Sequence, residues 1–334
     1  MSYKISVIIP VYNAEQYLER TINSIINQSI GFENIELIIV DDFSTDSSKE
    51  IIEKFSNKYS NIKPIYSNKN HSLPSFGRNK GIEVASSKYI MFSDHDDEYV
   101  FDFCETLYNE IENNDVDLVS CKYYAIRNNE IINDEYINNN REKKLVDNCL
   151  KCSSVMLWNK IFKKSIINKY DIKFPDARNE DYLFCGKYFA NSKKLIEINY
   201  CGYKHYYYDA TLGNTSNVKY EDTLTVINSY YDLCNYIIDN NQNPPDFFNK
   251  SIRKDAFAIL CYPRVTNQSL DKIKLIFDKY ISFEELVDGE KLNFVVELGK
   301  YFFKRKLYRL GLIYVKFLFR LQKSDLLKKV YVKI

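Results

Sequence analysis

Aspartates gather at two points of this 334-residue chain. Asp41 and Asp42 close one apolar run, and Asp94, Asp96 and Asp97 close another. Like charges this close repel, so five carboxylates at one edge need a cation or a hydrogen-bonding ligand. Asp94 and Asp96, two positions apart, carry the hard oxygens that Mg²⁺ or Mn²⁺ prefers. A metal held there would most naturally bridge a diphosphate. Two other nucleotide sites are missing. There is no GxGxxG, the nearest glycine pair being Gly77 and Gly81, and no GxxxxGK[ST].

The elements that must position these carboxylates alternate strand and helix. Ile5–Val11 is an almost continuous β-branched run, as expected of a strand buried on both faces of a parallel sheet. Asn13 is placed to cap a helix running to about residue 28. Residues 35–40 read as a second strand, and Thr45 or Asp46 can cap a helix to about residue 59. Further strands are expected at residues 62–66, 89–92 and 117–124. Helices are expected around residues 79–85 and 101–113. This order predicts a doubly wound, Rossmann-like α/β sheet, mostly parallel with flanking helices. Ligands bind such sheets outside the carboxyl ends of the strands, where both aspartate groups fall.

Composition sets the outer bounds. Hydrophobic residues make up 45% and charged residues 27%, which fits a folded globular chain. With 46 basic and 45 acidic side chains the net charge is +1, so nucleic acid is not an expected partner. No apolar run approaches the ~20 residues that span a membrane. The first residues read as a strand, and without an export signal the expected place is the cytoplasm. Eight cysteines with a single CxxC, Cys149 and Cys152, read as reduced thiols rather than a zinc site. Charge is uneven. Residues 300–334 hold eleven Lys or Arg against one Asp, a balance of +10 that leaves −9 for the rest of the chain. Arg305, Arg309, Lys316, Arg320 and Lys323 fall within roughly 60° of one helical face. That basic amphipathic tail reads as a membrane-surface foot, a partner or homo-oligomer contact, or a helix docked on its own body.

Several ordered motifs carry a resemblance. Ser6-Val-Ile-Ile-Pro-Val-Tyr-Asn13 with Glu15 and Tyr17-Leu18, Ile38-Ile-Val-Asp-Asp-Phe-Ser-Thr-Asp46, Gly77-Arg-Asn-Lys-Gly-Ile82 and Phe92-Ser-Asp-His-Asp-Asp97 resemble the nucleotide half of family 2 glycosyltransferases, which have the GT-A fold. Trp158-Asn-Lys-Ile-Phe162 and Asn179-Glu-Asp-Tyr-Leu-Phe184 resemble two motifs of their acceptor half. The likeness runs over about residues 3–216. It implies a GT-A domain at 1–216, with a nucleotide half to about 125 and an acceptor half from 126. Residues 217–334 would form a helical C-terminal region. Gly77 replaces the family's usual Ala. Asp209 stands where Arg is frequent, so it would lack a phosphate role and add a carboxylate instead.

The resemblance implies residue roles. Pro10, Tyr12 and Asp42 would hold the base, usually uracil, and Arg78 would pair with phosphate or orient the carboxylates. Asp94 would contact ribose or metal, and Asp96 would hold Mn²⁺ or Mg²⁺ on the diphosphate. Asp181 would be the general base, and Glu180 would bind an acceptor hydroxyl. By residue type alone, Glu180 and Asp181 equally suit the first turn of a helix. Trp158 reads as an acceptor-stacking platform or a core residue. Lys160 reads as a phosphate contact or a solvated surface lysine, and His71 and Ser72 read as phosphate contacts. His205 reads as a further metal ligand or a structural histidine, and His95 should face away from the metal.

The implied activity is metal-assisted, inverting transfer of a hexosyl or N-acetylhexosaminyl group. By the same resemblance the donor would be a UDP-sugar, and the acceptor would be a hydroxyl of a surface glycan or lipid-linked acceptor at the inner face of the membrane. A nucleotidyltransferase would need a Gly-rich phosphate loop after the first strand, where Pro10-Val-Tyr-Asn13 stands. A non-catalytic nucleotide-sugar binder would have no use for the intact Asp42, Asp94, Asp96 and Asp181.

Overall fold

The structure, a computed structural model, describes residues 3–133, 139–149, 152, 156–176 and 180–208, with Leu233 and Tyr236. Two compact units divide the chain, Met1–Asn217 and Val218–Ile334, and every element with defined bounds lies in the first. The helices expected after residue 215, the basic stretch 300–334 and Asp209 lie outside the described residues.

The strands are β1 (Ile5–Val11), β2 (Ile35–Asp41), β3 (Ile62–Tyr66), β4 (Tyr89–Phe92), β5 (Glu98–Tyr99), β6 (Leu118–Arg127), β7 (Glu130–Ile131), β8 (Lys143–Val146), β9 (Lys160–Lys163) and β10 (Leu195–Tyr206). The helices are α1 (Leu18–Ile26), α2 (Ser48–Lys58), α3 (Pro74–Val84), α4 (Phe103–Asn113), α5 (Lys164–Lys169) and α6 (Glu180–Ala190). One sheet runs β3-β2-β1-β4-β9-β6-β10-β5, with β7 beside β6 and β8 beside β10. The first four strands are parallel. Beyond them β9 runs antiparallel between β4 and β6, β6 and β10 are parallel, and β5 pairs antiparallel with β10.

Every residue of β1 and β2 is buried, as their almost continuous apolar runs predict for strands covered on both faces. Their register pairs Val11 with Asp41, and β1 pairs Ile8 with Phe92 of β4. Pro10, Asp42 and Asp94 therefore meet at one edge of the sheet. Helix α3 lies unusually close to β1. A Cβ at Gly81 would sit 2.3 Å from Ile8 Cγ2, and one at Gly77 would sit 2.9 Å from Pro10 Cβ. This approach carries Arg78 to the same edge.

One local expectation differs from the structure. Asn13 does not cap α1, which starts only at Leu18. Its backbone is left-handed (φ 48°), and its Oδ1 accepts from Thr45 N at 2.8 Å. The short amide tolerates that conformation and finds a better use tying two strand-end loops together. Helix α3 holds residues 79–84 as expected and extends back to Pro74, where proline's fixed φ suits a first helical position. At α2, Asp46 Oδ1 accepts from Ser48 N at 3.0 Å, and Thr45 takes no part in that cap.

Behind the edge, Phe92, Phe162, Phe174 and Phe184 pack together, with Phe174 stacked on Phe184 at 4.0 Å. These rings fix α6 against β4 and β9, and so set where Glu180 and Asp181 begin.

Candidate active site

Asp42 follows β2 and is buried. Both of its carboxylate oxygens meet His71: the His71 amide donates to Oδ2 at 2.8 Å, and ring Nδ1 lies 2.6 Å from Oδ1. The His71 ring stacks on Phe76 at 3.7 Å. The histidine read as a phosphate contact thus holds the expected base-reading carboxylate. Asp41 turns away and takes Ser44 Oγ and Ser44 N. Tyr12 remains 45% exposed, with an aromatic face available at the end of β1.

After β4 the three aspartates diverge. Asp94 Oδ1 accepts from Arg78 Nη2 at 2.8 Å. Asp97 is wholly buried and accepts from Tyr203 Oη at 2.8 Å, Tyr206 N at 2.9 Å and His205 Nδ1 at 3.0 Å. Burial pushes its carboxyl up to about 6, against the opposing pull of His205. No hydrogen bond from another described residue reaches the Asp96 carboxylate; burial raises its pKa, with Asp94 adding and His95 opposing. His95 Nδ1 lies 3.3 Å from Pro10 O, bridging this turn to β1.

Arg78 joins the two halves of the site. Its guanidinium is buried, ion-paired with Asp94 and with Glu180 at the start of α6, and 5.5 Å from the Phe174 ring centre. Neighbouring carboxylates raise its pKa further despite burial. Asp181, beside Glu180, accepts from Tyr182 N at 2.8 Å. Burial first, and then Glu180, push its carboxyl up to about 6, while Arg78 pulls the other way. A half-buried carboxylate tuned close to neutral pH is well placed to take a proton from a hydroxyl.

Trp158 is 6% exposed, stacked on Tyr203 at 4.3 Å and on His205 at 5.1 Å. Lys160, read as a phosphate contact, is wholly buried and donates to Met156 O at 2.6 Å and Asn159 Oδ1 at 2.8 Å. Among the described residues, no three His, Cys, Asp or Glu side chains form a ready metal cage. Sequence reasoning missed Arg20 and Thr21 of α1 and Tyr203 of β10, all of which grip the 94–97 turn. The Tyr-rich end of β10 was the one available signal.

A parallel β-edge carrying these aspartates, closed by a mixed half that supplies a carboxylate pair, defines a GT-A domain. The chain belongs to glycosyl transferase family 2, whose model matches residues 6–177. It is 32% identical over 219 residues to a poly(ribitol-phosphate) beta-glucosyltransferase of Bacillus spizizenii, covering 65% of this chain and 34% of that protein. The chain thus spans about a third of that relative's length. It is 32% identical over 206 residues to poly(ribitol-phosphate) beta-N-acetylglucosaminyltransferase TarP of Staphylococcus aureus, covering 59% and 61%. Residues 1–349 of S. aureus TarS, solved in complex with UDP-GlcNAc, match at TM-score 0.70 and 20% identity over 96% of this chain and 93% of that one. A mannosyltransferase of Pyrobaculum calidifontis, in complex with GDP-Man and Mn²⁺, matches at TM-score 0.54 and 13% identity over 97% and 89%. Among the described residues, no helix is long and apolar enough to cross a membrane.

Proposed function

We propose that this chain transfers a hexosyl or N-acetylhexosaminyl group from a UDP-sugar to a hydroxyl of a cell-surface polymer, with inversion at the sugar's anomeric carbon. The carrying observation is that Arg78 engages Asp94 and Glu180 and feels the charge of Asp181, which brings the carboxylate after β4 and the carboxylate pair of α6 to one guanidinium. The donors and polyol-phosphate acceptors in the relatives' names support the substrate class.

Pro10, Tyr12 and Asp42 hold the base, with His71 fixing the Asp42 carboxylate. Asp94 and Asp96 hold the diphosphate's divalent cation, Mn²⁺ or Mg²⁺. The donor set fits such a hard ion: Asp96 has no competing donor among the described residues, and Asp94 spends only Oδ1 on Arg78. His205, anchored to Asp97 through Nδ1, offers Nε2 as a further ligand. When bound, the cation neutralises charge gathering on the leaving diphosphate. Asp181 takes the proton from the acceptor hydroxyl as its oxygen attacks C1. The C1–O bond to the diphosphate breaks, and its electron pair leaves with UDP. Glu180 orients Arg78 and meets an acceptor hydroxyl, and Trp158 backs His205.

Calorimetry of UDP with and without Mn²⁺, on the wild type and Asp96→Ala, tests this reading. Binding that needs both Mn²⁺ and Asp96, followed by metal-dependent hydrolysis of one UDP-sugar in a donor panel, is the expected result. No UDP binding under any condition overturns the donor assignment.

A further inference from the structure

Two consecutive residues of α1 reach three consecutive carbonyls of the aspartate turn, Thr21 sharing its one hydroxyl proton between two of them. Thr21 Oγ1 lies 2.8 Å from His95 O and 2.7 Å from Asp97 O. Arg20 Nη2 donates to Asp96 O at 2.6 Å and to Tyr208 Oη at 2.7 Å, and the Tyr208 hydroxyl itself donates to Asp96 O at 3.1 Å. The Arg20 guanidinium lies 4.0 Å from the Tyr206 ring centre, and its Nε is 3.2 Å from Glu98 Oε1. The Tyr206 hydroxyl donates to that same Glu98 oxygen at 2.5 Å. Tyr17 packs on Tyr208 at 4.4 Å, closing the cluster.

The turn needs this grip. Its own backbone bond, from Asp97 N to Asp94 O, is 3.4 Å long, near the limit at which such a bond holds a shape. Pinning the carbonyls of residues 95–97 fixes the peptide planes on either side of Asp96. The neighbouring carboxylates can then part, Asp97 into the core and Asp96 to a half-buried position without a hydrogen-bond donor from another described residue. The planar guanidinium meets Asp96 O and the Tyr208 hydroxyl through Nη2 and Glu98 through Nε, a spread that a lysine ammonium on a flexible stem covers poorly.

We propose that Arg20 is a positioning residue for the Asp96 carboxylate, holding it in the orientation that a diphosphate-bound divalent cation requires. This rests on the cation assignment under the proposed function. Arg20 touches neither donor nor acceptor; it acts through the Asp96 carbonyl and Tyr208.

The test is calorimetry of the full chain with UDP across a Mn²⁺ series, and with uridine alone, for wild type, Arg20→Met and Arg20→Lys. Arg20→Met is expected to weaken Mn²⁺-dependent UDP binding about 10–100-fold, as loss of a supporting partner does at metal sites. Uridine affinity and Tm should stay near wild type, and Arg20→Lys should recover only part of the loss. Unchanged UDP and Mn²⁺ binding in Arg20→Met overturns the proposal. So does a parallel fall of uridine affinity and Tm, which a purely structural role would give. If wild type binds no UDP with metal, the donor reading fails, and amide hydrogen exchange at residues 95–98 decides the positioning claim. Faster exchange confined to those amides in Arg20→Met supports it, and unchanged exchange there overturns it.

Discussion

Arg78 on α3 and Glu180 at the first residue of α6 form an ion pair between side chains only 6% and 11% exposed, joining positions 102 residues apart. With Asp94 as the second carboxylate, the pair is the electrostatic hinge pin between the two halves of the domain. Removing one partner of a buried pair strands the other charge, which costs about 3–5 kcal/mol. Arg78→Met should lower stability by that order, measured by urea unfolding. Arg78→Met with Glu180→Gln should recover part of it. Additive losses in the double variant would show that the pair is not coupled.

Asp181 sets a pH dependence with opposite signs for activity and stability. Its folded-state pKa is about 6, raised from the ordinary aspartate range chiefly by burial. The folded chain therefore holds this proton more tightly than the unfolded chain. Stability from the protonated form is complete below about pH 4 and is lost as pH rises through about 6. As the proposed base, in contrast, Asp181 works only once deprotonated, so kcat/KM should climb through about pH 6. Asp181→Asn should lower kcat by about 10²–10⁴-fold. It should also raise Tm at pH 8 by about 2–4 °C, since a neutral group there avoids the buried charge. A lower Tm in Asp181→Asn at pH 8 would contradict this account.

Much of the nucleotide half was legible because nearly continuous apolar runs at residues 5–11, 35–40 and 89–92 leave little choice but a buried parallel sheet, and the acidic groups mark its carboxyl edge. The jobs of individual aspartates were not legible. Asp94, Asp96 and Asp97 are one residue type within four positions, and the path of the turn decides which is paired, free or buried. Arg20 was invisible for a related reason: its partner is the backbone carbonyl of Asp96, 76 residues away, and any residue type supplies a carbonyl. Lys160 reads as a surface residue by type, yet it is wholly buried where neighbouring oxygens satisfy it.

Asp97 offers a way to separate folding from cation affinity. Asp97→Ala orphans donors from Tyr203, His205 and Tyr206 and should destabilise by about 3–5 kcal/mol. Asp97→Asn can still accept from Tyr206 N and can donate to His205 Nδ1. That reversal puts the imidazole proton on Nε2, the nitrogen proposed as ligand. Asp97→Asn should therefore stay folded but bind Mn²⁺ about tenfold or more weaker, read by electron paramagnetic resonance titration. Wild-type Mn²⁺ affinity in this variant would remove His205 from the ligand set.

The close seating of α3 on β1 makes opposite demands at two glycines four residues apart. At Gly81 an added Cβ meets Ile8 Cγ2 at 2.3 Å and Cγ1 at 2.9 Å, and Ile8 is wholly buried. Gly81→Ala must push the helix off the strand and should cost about 1–3 kcal/mol by overpacking. Ile8→Val should relieve part of that in the double variant. At Gly77 the clash is with Pro10 Cβ at 2.9 Å, milder but aimed at a residue proposed to line the base pocket. An alanine therefore does not fit here unless Pro10 moves. Gly77→Ala should leave Tm nearly unchanged, because a better helix former offsets the strain. It should weaken uridine and UDP binding together, independently of Mn²⁺, because only the base end of the site shifts. A loss that appears with UDP and Mn²⁺ but not with uridine would place the effect at Arg78 instead, the next residue along the helix.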